Sequence, residues 1–178
     1  DNIVDLLDIH VKDNTLHIGF KKNVSVTYDK LEISVSAEKL NGIAVAGSGD
    51  VELANGLKTD ELKISVAGSG NISGDNISCT DLSISIAGSG DINSSNITCN
   101  NLKTSIAGSG DMKLNNVTAV SAGVSVAGSG TVILNGSTPE AAYSVTGSGD
   151  LFASDFVAKR VSANVTGSGS IKCHATDF

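Results

Sequence analysis

Four aspartates stand at equivalent places in this chain, Asp50, Asp91, Asp111 and Asp150, each closing a Gly-Ser-Gly-Asp tetrad. Carboxylates stacked at a fixed interval are hard oxygen donors, and a column of them could hold Ca²⁺. The remaining tetrads end in Asn71, Thr131 and Ser170, so only Asp91 and Asp111 are direct neighbours. The Gly-Gly-x-Gly-x-Asp loop of calcium-binding β-rolls is also absent. A solvated corner is expected, with no metal residue assigned.

Two cysteines, Cys79 and Cys99, share one place in successive repeats, and Cys173 lies elsewhere. Side chains of in-register neighbours run parallel, which suits a disulfide poorly. An odd count with no Cys-x-x-Cys makes no zinc case. Free thiols serving as small apolar residues are expected.

Polysaccharide hydrolysis would need two carboxylates facing each other across a cleft, and a lyase would need a Lys or Arg base. The outward positions here are mainly Ser, Lys, Ala and Gly, in repeats of nearly constant length. Without long loops there are no cleft walls, so no catalytic or cofactor-binding residue is assigned.

These residues belong to a repeat. The first glycines of seven Gly-Ser-Gly blocks, Gly47, Gly68, Gly88, Gly108, Gly128, Gly147 and Gly167, are 21, 20, 20, 20, 19 and 20 residues apart. Before each glycine the chain alternates apolar with polar, as in Leu82, Ile84 and Ile86 ahead of Gly88. That period of two marks a strand with one buried face. After the Gly-Ser-Gly corner comes a second inward position: Val51, Ile72, Ile92, Met112, Val132, Leu151 and Ile171. A further corner falls at Asn55, Asn76, Asn96, Asn116, Asn135 and Asp155, where asparagine suits a left-handed turn and stacked amides can bond from coil to coil. Ile77, Ile97, Val117 and Phe156 then open a third side. Several of these asparagines also head Asn-x-Ser/Thr sequons, matches that repetition of one corner manufactures.

One such coil could bury about six apolar side chains at ~1.5–3 kcal/mol each. Ordering its twenty or so residues costs ~1–2 kcal/mol apiece, so a single coil cannot stand alone and stacking is compulsory. The predicted fold is all-β: a single-stranded, right-handed parallel β-helix of about seven ~20-residue coils, roughly 35 Å long.

Residues 1–178 are expected to form one domain, with 1–40 outside the clean repeat and 41–178 carrying it. Ile9 and Val11, the turn pair Asp13-Asn14, then Leu16, Ile18 and Phe20 predict a β-hairpin, the candidate cap for an open solenoid end. A two-residue loop sets His10 opposite His17, a pair able to bind a metal weakly; with no carboxylate or third histidine assigned to that face, an exposed cross-strand pair is expected. Val24, Val26 and Tyr28, then Leu31, Ile33 and Val35, predict two strands of an irregular first coil. The chain opens on Asp1 rather than Met, so a processed or trimmed start is expected, and the absence of a leader or membrane-spanning run carries no information.

A net charge of -7 with 3% aromatics disfavours nucleic acid. One outward ladder, Glu52, Ser73, Asn93, Lys113, Ile133, Phe152 and Lys172, breaks the polar rule and sets Ile133 beside Phe152 as a candidate contact patch.

The recurring Ala-Gly-Ser-Gly-Asp, Thr-Gly-Ser-Gly-Asp and Thr-Gly-Ser-Gly-Ser blocks, each led by Ile/Val alternation, resemble the auto-transporter adhesin, head GIN family of bacterial β-helical proteins. The resemblance covers roughly Leu16 to the C-terminus. It implies export to the periplasm, outer membrane or cell surface, with a lipid anchor as one route, and carries no catalytic residues. The expected function is a non-enzymatic adhesin-like surface module whose partners are glycans or cell-surface proteins, with self-association left open. A polysaccharide-processing enzyme on the same scaffold, or a passive envelope spacer, are the alternatives.

Overall fold

The computed structural model describes residues 3–24, 26–27 and 30–177. The chain divides into two compact units, Asp1–Ala37 and Glu38–Phe178.

In the first unit a short 3₁₀ turn, Val4–Leu6, leads into a hairpin of β1 (Leu7–Lys12) and β2 (Thr15–Phe20). Asp13 and Asn14 both take positive φ, 50° and 59°, as a two-residue turn with matching twist requires. The expected register is met: Val11 pairs with Leu16, His10 with His17 and Ile9 with Ile18. The strands expected over Val24–Tyr28 and Leu31–Val35 do not form among the described residues, and Tyr28 lies outside them. Alternation of three apolar residues makes a strand only where a partner supplies its hydrogen bonds. Leu31–Val35 pairs with no strand, and Val35 is exposed.

The second unit is a parallel β-solenoid of about seven turns. Its first coils contain β3 (Gly42–Gly47), β4 (Val51–Leu53), β5 (Leu57–Lys58), β6 (Glu61–Gly68), β7 (Ile72–Ser78) and β8 (Asp81–Gly88). Beyond them, strands run continuously through the Asn corner: β9 (Ile92–Gly108), β10 (Met112–Gly128), β11 (Thr131–Gly147) and β12 (Asp150–Gly167), followed by β13 (Ser170–Ala175). Each pairs in parallel with its equivalent one coil away, so that Leu62, Leu82, Leu102 and Ala122 form one ladder and Ile72, Ile92, Met112 and Val132 another.

A cross-section through the middle buries Ile92, Ser94, Ile97, Cys99, Leu102, Thr104 and Ile106. The two polar members are satisfied internally: the Ser94 hydroxyl donates to the Gly74 carbonyl and that of Thr104 to Gly123. Later coils keep the core full by exchanging sizes. Gly136 replaces the apolar residue that is Ile97 and Val117 in the coils below, and Phe156, its register partner one coil on, is fully buried.

The Gly-Ser-Gly corner is where coils approach closest. The amides of Ser109 and Gly110 both donate to the Gly88 carbonyl, at 2.9 and 3.2 Å. A Cβ on Gly110 would stand 2.1 Å from the Gly90 carbonyl oxygen, and one on Gly108, whose φ is 136°, would stand 2.2 Å from that of Gly88. Backbone is in the way on both sides, so only glycine fits.

Candidate functional site

The aspartates of the corner are structural. Asp91 Oδ1 accepts the backbone N–H of Asp111 at 2.9 Å, and Asp111 Oδ1 accepts that of Thr131 at 2.8 Å. Asn71 does the same for Asp91 through its side-chain oxygen, as Asp50 does for Asn71 and Asp150 for Ser170. Thr131 makes no such bond, and the N–H of Asp150 turns to the Gly130 carbonyl instead. The ladder is a chain of side-chain caps from coil to coil. Among the described residues no group of three or more His, Cys, Asp or Glu side chains is placed to hold a metal ion.

Asn76, Asn96 and Asn116 adopt positive φ as expected, and their amides bond in series: Asn96 donates to Asn76 at 3.2 Å and Asn116 to Asn96 at 2.8 Å. The ladder stops short of Asn55, Asn135 and Asp155. Gly56 takes the left-handed turn in the first of these coils. The Thr131–Gly147 coil is one residue shorter at this corner, so Gly136 takes the turn and Asn135 sits beside Asn115, donating to it at 2.8 Å.

The cysteines are free, with Cys99 buried, Cys79 half-buried and Cys173 exposed. Burial, reinforced by Cys79 and Asp81, pushes the Cys99 thiol up to about 12. It is an inert core residue.

Ile133 and Phe152 are register partners on the outer surface, with Ile133 41% exposed and Phe152 half-buried. The same ladder places Lys113 beside Ile133 and Lys172 beside Phe152. The Lys172 ammonium stands 5.2 Å from the Phe152 ring centroid, within cation–π range. The twenty-residue offset already held this bracketing of an apolar pair by two cations.

Of the shallow hollows among the described residues, two bear on function. The larger, about 510 Å³, is floored by Gly123, Ala142 and Ser162 and flanked by Glu140, whose carboxylate is ion-paired with Arg160. The smaller, about 370 Å³, includes Glu52 and Asp75. Asp75 is already engaged, accepting from both the amide and the hydroxyl of Ser95.

A stack of parallel coils with side-chain-capped corners defines the second unit as a β-solenoid. The model of the family described as putative auto-transporter adhesin, head GIN domain, matches residues 1–132 and again 84–177, and the chain belongs to that family. Among solved structures it is similar to a putative adhesin from Bacteroides fragilis, at 30% sequence identity and a TM-score of 0.76, over 96% of this chain and 77% of that one. No curated protein matches it in sequence.

Proposed function

We propose that the chain is a non-enzymatic, adhesin-like module of the bacterial envelope that holds a glycan or cell-surface protein against its outer ladders, with Ile133 and Phe152 as the contact point. The observation that carries this is the outward Ile133–Phe152 pair, an apolar and an aromatic side chain in register and bracketed in their ladder by Lys113 and Lys172. An aromatic face with hydrogen-bonding neighbours suits the apolar side of a sugar ring or an apolar anchor on a protein. Membership of a family named for adhesin heads supports export and surface display. The periplasm, outer membrane or cell surface is the expected site, with a lipid anchor as one route of attachment.

A glycan array and a panel of cell-surface proteins, probed with the wild type and an Ile133→Ser/Phe152→Ser variant, test this. Binding that the double substitution removes, with the coil still folded by circular dichroism, supports the patch; unchanged binding overturns it. The enzymatic alternative has one observation in its favour, the presence of Glu52 and Asp75 in the same hollow. Glycan cleavage abolished by Asp75→Asn would replace the adhesin reading with that one.

A further inference from the structure

His10 and His17 face each other across the hairpin, on the side opposite Ile9, Val11, Leu16 and Ile18. Their rings lie within 17° of parallel, with centroids 5.1 Å apart. Asp8 shares this face because it precedes His10 by two strand positions, and its Oδ1 is 2.9 Å from His10 Nδ1. With Nδ1–H donated to that carboxylate, the lone pair of His10 resides on Nε2. A carboxylate behind a histidine is the arrangement that fixes the tautomer and raises the basicity of a metal-bound imidazole.

The rings are stacked, so each must rotate about its side-chain torsions before a nitrogen of each points at a shared ion. Both side chains are exposed and free to do so, and their cross-strand register keeps the two imidazoles within reach of one ion with Zn–N bonds of about 2.0–2.1 Å. Imidazole nitrogens select borderline dications of the Zn²⁺, Cu²⁺ and Ni²⁺ kind over Ca²⁺ or Mg²⁺.

We propose that the hairpin carries a transition-metal site with His10 and His17 as its two protein ligands. Asp8 orients His10, and water completes the coordination shell. The metal cross-links β1 to β2 at a register pair three positions from the open ends of the hairpin. Two-stranded hairpins are marginal by themselves, so an ion bound only to the paired form stabilises it by mass action. This site is independent of the Ile133–Phe152 column.

The test is calorimetric titration of Zn²⁺ into the whole chain near neutral pH. A Cys173→Ser/His174→Gln background removes the exposed donors at the other end. One zinc per chain is expected, with the His10 and His17 ring signals shifting together in the NMR spectrum. His10→Gln and His17→Gln should each weaken binding at least about tenfold, and Asp8→Ala about tenfold. Asp8→Asn, which keeps an acceptor, should restore part of the loss. Zinc affinity unchanged by His17→Gln, one zinc shared between two chains, or no heat and no histidine shift at millimolar Zn²⁺ would each overturn the proposal.

Discussion

The carboxylate of Asp91 accepts the backbone N–H of Asp111, one coil away, at 2.9 Å. Asp91→Ala leaves that amide to water at a half-open corner and should cost about 1 kcal/mol. Asp91→Asn should be nearly neutral, because Asn71 performs the same task for Asp91 itself. Urea denaturation of the two variants separates this capping role from a charge requirement. Equal destabilisation by both would mean that the negative charge matters.

Gly110→Ala should be among the most damaging single changes. Its methyl group would meet the Gly90 carbonyl oxygen at 2.1 Å and Ile86 Cγ2 at 2.9 Å, so two coils must separate. A loss of roughly 3 kcal/mol or more is expected, read as a lower urea midpoint or as failure to accumulate as folded protein. Gly123→Ala, where a Cβ meets only the Leu102 carbonyl at 3.9 Å, is the matched control and should be tolerated.

Tyr143 occupies an inward position in the ladder of Val124 and Ala163, and its buried hydroxyl has no hydrogen-bond partner. Tyr143→Phe removes an unsatisfied polar atom while keeping the ring. Stability should rise by about 1 kcal/mol, seen as a higher urea midpoint. A lower midpoint would show that the hydroxyl is satisfied in solution.

Alkaline pH should destabilise the fold. Burial first, then Cys79 and Asp81, lifts Cys99 from 9.0 to about 12, and burial also raises Cys79 and Tyr143. Above pH ~9 the unfolded thiols lose protons that the folded chain keeps, so unfolding releases protons and stability falls with rising pH. The full contribution is present below the unfolded value, and for Cys99 it is lost progressively up to about 12. Urea midpoints at pH about 8 and about 10.5 should show the fall. Cys99→Ala should lessen it, and an identical fall in that variant would assign the effect elsewhere.

Most of the fold was legible because a solenoid writes each structural requirement once per coil. Val45, Val66, Ile86, Ile106, Val126, Val145 and Val165 announce a buried ladder by recurrence; the first six are buried, and Val165, beyond the part of β12 that β13 covers, is 42% exposed. The hairpin register followed from Asp13-Asn14 and the alternation on either side. What escaped was relational. That Asp91 caps an amide one coil away depends on side-chain direction at the corner, which spacing does not encode. The end of the left-handed Asn ladder at Asn135 depends on which corner absorbs a missing residue. Alternation at Leu31–Val35 suggested a strand, but pairing decides. The candidate patch was legible as Ile133 next to Phe152; the cation over the ring was not, because spacing puts Lys172 in the ladder without fixing where its ammonium points.

The short coil between Thr131 and Gly147 shows where this architecture tolerates change. Between Leu114 and Val117 the register shifts by one residue, between Ile133 and Gly136 it shifts back in the next coil, and regular pairing resumes at once on the following side. From Gly68 onward the Gly-Ser-Gly corners, wedged backbone against backbone, leave no room for a Cβ. The Asn corner is thus the expansion joint of the solenoid. Loops grafted there would project from the wall while the coils above and below kept their alignment, giving a uniform scaffold one seam along which new recognition surfaces can be added.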